Sequence, residues 1–124
     1  MAKLFLSLGS IIMGLAVIIG AFGAHGLEGK LTEKMMKNYQ TGVLYHMIHG
    51  IGLLAVGVIA LKLTASSALN GAGWSFLIGI LLFSGSLYVM ALTGITKLGA
   101  ITPIGGLAFI IGWVLLVTAV VRGL

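Results

Sequence analysis

Four intervals of 21 residues, 4–24, 41–61, 73–93 and 101–121, contain no Asp, Glu, Lys or Arg. Charge is confined to the chain ends and to the stretches between those intervals. At about 1.5 Å of helical rise per residue, each interval spans roughly 30 Å, the thickness of a bilayer's hydrocarbon core. The pattern predicts an all-α, integral membrane four-helix bundle in a single domain, with spans at about 4–25, 40–61, 73–93 and 101–121. An even number of spans places both termini on the same side.

The connections differ in character. The one at 26–39 is the longest and the most charged, with Glu28, Lys30, Glu33, Lys34 and Lys37. Within it LTEKMMKNY sets Leu31, Met35 and Tyr39 on one face, which predicts a short interfacial helix running into the second span. The connection at 62–72 is small and polar, and that at 94–100 is a tight turn carrying Lys97. Pro103 falls in the first turn of the fourth span, where its missing N–H costs little. Lys3, Lys62 and Arg122 lie on the N-terminal side and Lys30, Lys34, Lys37 and Lys97 on the other. With the amino terminus added to the smaller set, the positive-inside rule gives no orientation.

Composition agrees with this reading and narrows it. Of 124 residues, 60% are hydrophobic and 7% charged, and the mean hydropathy is +1.23. A soluble domain carries about a quarter charged residues. The first apolar run exceeds the core of a signal peptide and three more follow it, so it reads as a retained span. The absence of cysteine excludes disulfides and thiolate chemistry. The net charge of +5 comes from Lys and Arg scattered at span ends, beside lipid phosphates. They are not clustered as a nucleic-acid surface would require, so membrane lipids are the expected partners and nucleic acid is not.

Small residues recur at four-residue spacing inside the spans: Ala16, Gly20 and Ala24 in the first, Ser75 and Gly79 in the third, Ala108 and Gly112 in the fourth. Such ridges let membrane helices approach backbone to backbone. They predict packing within the bundle, or contact with a second copy or another membrane protein.

Polar side chains within the spans collect toward one end. Tyr45, His46 and His49 share a face of the second span, about 6 to 12 Å inside if that span starts near Thr41. His25 ends the first span on the same side, with Tyr88, Thr93 and Thr102. Ser84 and Ser86 fall near the middle of the third. Polar groups facing hydrocarbon are costly, so a crevice lined by His25, Tyr45, His46, His49, Ser84 and Ser86 is expected to bind a small polar ligand, a lipid headgroup or a proton.

Several chemistries fit such a cluster. His25, His46 and His49 with Glu28 form a thin metal-ligand set, since H-x-x-H alone is a weak signal. Bis-imidazole haem ligation lacks an attachment motif. Histidines titrating near neutral pH suit proton or solute handling. The plainest role is structural, with neutral imidazoles hydrogen-bonded to Tyr45, Ser84, Ser86 or backbone carbonyls. With no Asp, and both Glu residues in one connection, carboxylate-pair catalysis is excluded. Ser84 and Ser86 have no acidic partner for a hydrolase triad. GAFGAHG at 20–26 follows no strand and carries no Lys, so it is not a phosphate loop. No enzyme activity and no cofactor are expected.

Four stretches carry a resemblance: GAFGAHGL (20–27), YQTGVLYHMIHGIGL (39–53), LFSGSLYVMALTG (82–94), and LGAITPIGG with GW (98–106, 112–113). In this order they resemble the small four-span membrane proteins of the YwdK/YgdD type, the DUF423/UPF0382 family, over nearly the whole chain. The resemblance implies four membrane helices and a bacterial plasma-membrane location. It supplies no reaction, substrate or catalytic residue. The remaining alternatives are a transporter or channel subunit acting as an oligomer, and a structural partner of other membrane proteins.

Overall fold

Each apolar interval forms a helix because a backbone in hydrocarbon must satisfy its own N–H and C=O groups. The computed structural model describes residues 1–124. Its spans are α1 (Ala2–Gly26), α2 (Glu33–Ala60), α3 (Ser67–Thr93) and α4 (Thr102–Gly123). A 3₁₀ turn, Thr96–Ala100, leads into α4. No strand is present.

Two spans, α2 and α3, start well before their charge-free intervals. α2 begins at Glu33, capped by the Thr32 hydroxyl accepting from the Met35 N–H at 3.1 Å. Residues 33–39 are therefore helical and run without a break into the rest of α2. α3 begins at Ser67, with the Ser66 hydroxyl accepting from the Leu69 N–H at 3.1 Å. It ends at Gly94, whose φ of 75° closes the helix through its N–H to the Met90 carbonyl at 2.8 Å.

Helix pairing follows small residues seven apart. On α1 the buried small positions are Gly9, Ala16 and Gly23, and on α2 they include Gly50 and Gly57. A side-chain carbon added to Gly9 would meet Leu54, to Gly50 Met13, to Gly57 Leu6, and to Gly20 Val43. These pairs run antiparallel in constant register, and a seven-residue period gives left-handed crossing. The α3–α4 pair repeats the device. Gly79 lies under Phe109, Gly112 under Phe76, and Gly105 against the backbone of Phe83. The four-residue ridge predicted on α1 is thus corrected: Ala16 is buried and Gly20 half-buried, but Ala24 is exposed. Ser75, Gly79 and Gly112 meet at the α3–α4 contact, and Ala108 is half-buried.

The two hairpins join along α2 and α3. Phe5, at 0% exposure, covers Gly73 of α3 and stands edge-on to Trp74. Lipid tails are as apolar as these side chains, so cohesion comes from close van der Waals packing and interhelical hydrogen bonds. Both chain ends meet the α2–α3 connection, Met1 beside Ala60 and Gly123 beside Leu63. The termini therefore lie at one end of the bundle.

α3 is not a uniform helix. Ile80–Ser84 is a π-helical turn, closed by the Gly85 N–H donating to the Ile80 carbonyl. It inserts one extra residue per turn opposite the glycines of α4, a feature that often marks functional positions.

Candidate functional site

The two histidines of α2 point to different neighbours. His46 is buried, with Nε2 2.8 Å from the Ile12 carbonyl of α1 and Nδ1 2.8 Å from the Tyr88 hydroxyl of α3. A carbonyl only accepts, so Nε2 carries the proton and Nδ1 accepts from Tyr88. His49 is also buried; its Nδ1 lies 2.8 Å from the Tyr45 carbonyl, and its Nε2 is 3.0 Å from the indole nitrogen of Trp113. An indole N–H only donates, so Nε2 is the acceptor and Nδ1 carries the proton. The imidazoles are neutral and of opposite tautomers, and all four ring nitrogens are engaged.

That geometry separates residues the sequence places in one crevice. His25 is exposed at the end of α1 and makes no side-chain hydrogen bond. Ser84 is fully buried and donates to the Gly42 carbonyl at 2.7 Å. Ser86 pairs with Thr102 at 2.6 Å, fastening the start of α4 to α3. Tyr45 is also on the surface, at 37% exposure, and its hydroxyl makes no hydrogen bond within the chain. The expected common crevice is therefore corrected. His46, Ser84 and Ser86 tie helices together, while Tyr45 and His49 line a different space. No three His, Asp or Glu residues converge, and neither buried imidazole has a nitrogen free for a metal.

That space is a groove of about 590 Å³ between α2, α3 and α4, lined by Tyr45, His49, Phe83, Phe109, Trp113 and the Pro103–Ile110 side of α4. α2 and α4 barely approach each other through their backbones, and aromatic rings bridge the gap. His49 stacks on Phe109 with centroids 3.5 Å apart and planes 7° from parallel. Tyr45 packs on Phe83 at 4.6 Å, at the π-helical turn. Gly105 lets α4 seat against the Phe83 backbone and so positions that ring. Among the lining side chains, the Tyr45 hydroxyl is the one polar group without a partner in the chain.

Sequence reasoning missed Trp113, Phe109 and Phe83. An indole N–H inside an apolar helix needs an acceptor, and His49 is one of few available, so donor accounting offered a signal for Trp113. The acceptor carbonyls of Ile12 and Ile19 left none, since every residue has a carbonyl.

Four apolar helices long enough to cross a bilayer, packed through glycines and holding an aromatic groove within the spans, define a multi-pass membrane protein. The chain belongs to the DUF423 family, described as a protein of unknown function, whose pattern matches residues 19–106. It is 52% identical over 120 residues to the UPF0382 membrane protein YwdK of Bacillus subtilis, covering 97% of this chain and 98% of that one. It is 54% identical over 115 residues to a UPF0382 membrane protein of Staphylococcus haemolyticus, covering 93% of each. No solved structure matches it. These relatives and the four spans place it in the bacterial plasma membrane.

Proposed function

We propose that the protein is a non-enzymatic lipid-binding membrane protein that holds one hydrocarbon chain in the α2–α3–α4 groove. The observation that carries this is the lining itself: aromatic and aliphatic walls within the spans, with a single unengaged hydroxyl at Tyr45. Hydrocarbon is the surrounding medium at that depth, and no charged side chain lines the groove. The Tyr45 hydroxyl suits a carbonyl of the same lipid, an acceptor lying near the membrane interface.

Other readings gain less. The opposite half of the core is Phe5, Leu53, Val56, Leu69 and Ala72, which offers no polar path to a solute. The glycines that would seat a partner helix are largely used within the bundle. Proton handling through the imidazoles would require breaking hydrogen bonds that already satisfy every ring nitrogen.

Gly106 provides the test. A side-chain carbon there approaches nothing closer than Phe83 at 3.8 Å, so Gly106→Leu fills the groove without disturbing helix packing. Native mass spectrometry of protein released from lipid nanodiscs should show retained lipid for the parent chain and loss of it for Gly106→Leu. Tyr45→Phe should weaken retention about five-fold, the equivalent of one hydrogen bond of about 1 kcal/mol. Equal retention by the parent and Gly106→Leu would refute the proposal.

A further inference from the structure

Trp113 lines two spaces. It closes one end of the aromatic groove, and it also borders a second, smaller trough of about 270 Å³ formed with Leu116, Val117, Val120 and Val121. It is the one residue common to both. The groove runs along α4 from Pro103 to Trp113, roughly 15 Å at the helical rise, and the trough continues to Val121 for roughly 12 Å more. Both are bare of charge, and the trough is lined by hydrophobic residues alone. End to end they approach the thickness of the hydrocarbon core, about 30 Å.

The wall between them is held rigidly. Trp113 donates its N–H to His49 at 3.0 Å and packs on Phe76 with ring centroids 4.7 Å apart. His49 cannot turn away easily, because its other nitrogen donates to the Tyr45 carbonyl and its ring lies flat on Phe109. An indole with 41% of its surface exposed, yet fixed at its polar atom and against a buried phenyl ring, stands as a barrier across the path.

We infer that Trp113, positioned by His49, sets the length of hydrocarbon chain that the groove accepts. The inference rests on the lipid-binding reading above and adds a specificity-determining residue to it. A chain entering beside Tyr45 runs along Gly106 and Ile110 and stops at the indole. Shortening Trp113 joins groove and trough into one continuous channel. His49 acts through the indole and needs only its acceptor nitrogen for this role, so Phe at that position keeps the stacking on Phe109 and loses the tether.

The experiment offers the full chain an equimolar series of phosphatidylglycerols with short, medium and long saturated chains in nanodiscs, and reads retained lipid by native mass spectrometry. The parent chain should favour the shorter members. Trp113→Ala and Trp113→Leu should shift preference toward the longest by about ten-fold. Trp113→Phe and His49→Phe each keep a ring in place but lose the tether between them, so both should broaden the parental preference. Circular dichroism melting identifies the folded variants, and Trp113→Leu carries the comparison if Trp113→Ala does not fold. Unchanged chain preference in folded Trp113→Leu overturns the inference and leaves lipid binding standing. A parent chain that retains no lipid overturns the lipid reading itself.

Discussion

Tyr88 of α3 donates its phenolic hydrogen to Nδ1 of His46 at 2.8 Å, while Nε2 of the same ring donates to the Ile12 carbonyl of α1 at 2.8 Å. One imidazole thereby ties three helices at a buried point, and no buried side-chain nitrogen or oxygen is left without a partner.

His46→Leu should lower stability by about 1–3 kcal/mol, because it leaves the Tyr88 hydroxyl unpaired. Replacing both partners removes the orphaned group, so His46→Leu with Tyr88→Phe should recover part of the loss. Thermal unfolding in detergent, followed by circular dichroism across the double-mutant cycle, measures both. An unfolding midpoint for His46→Leu equal to that of the parent would show that the tie is not structural.

The hydrogen-bond partners also assign protons. Nitrogen-15 chemical shifts should report His46 protonated at Nε2 and His49 protonated at Nδ1 at neutral pH. Trp113→Phe should perturb the His49 Nε2 resonance and leave His46 untouched. Identical tautomers for the two rings would contradict the arrangement.

Glycines should divide by what faces them. A side-chain carbon at Gly105 would strike the backbone N and Cα of Phe83, which cannot swing aside. Gly105→Ala should therefore destabilise by at least about 1–3 kcal/mol, as overpacking does. Gly14 is exposed with open space around it, so Gly14→Ala should be neutral or stabilise by up to about 1 kcal/mol. Unfolding midpoints of the two variants should move in opposite directions or differ by several degrees.

The spans were legible because charge cannot sit in hydrocarbon, and all four charge-free intervals became helices. Their ends were less so. Glu33, Lys34 and Lys37 mark where α2 leaves the membrane, not where it stops being helical, and Ser67 and Asn70 do the same for α3. The packing period on α1 was less legible for a different reason. Ala16, Gly20 and Ala24 satisfy a four-residue ridge, but an antiparallel pair in left-handed contact selects Gly9, Ala16 and Gly23. For the site, residue type marked the imidazoles and not their direction. His46 and His49 lie three positions apart, yet one turns toward α1 and Tyr88 and the other toward α4. Which carbonyl or indole meets each ring depends on the relative rotation of neighbouring helices, and a local pattern does not encode that.

The α1–α2 register bears on the order of assembly during synthesis. Tyr39 and His46, seven residues apart on α2, donate to the carbonyls of Ile19 and Ile12, seven residues apart on α1. α2 is the least apolar of the four spans, and α1 precedes it out of the ribosome. The acceptors for the Tyr39 hydroxyl and the His46 Nε2–H are thus already in place when α2 leaves the insertion machinery. The two helices can enter lipid as a hairpin, with the Tyr39 hydroxyl and the His46 Nε2–H already paired.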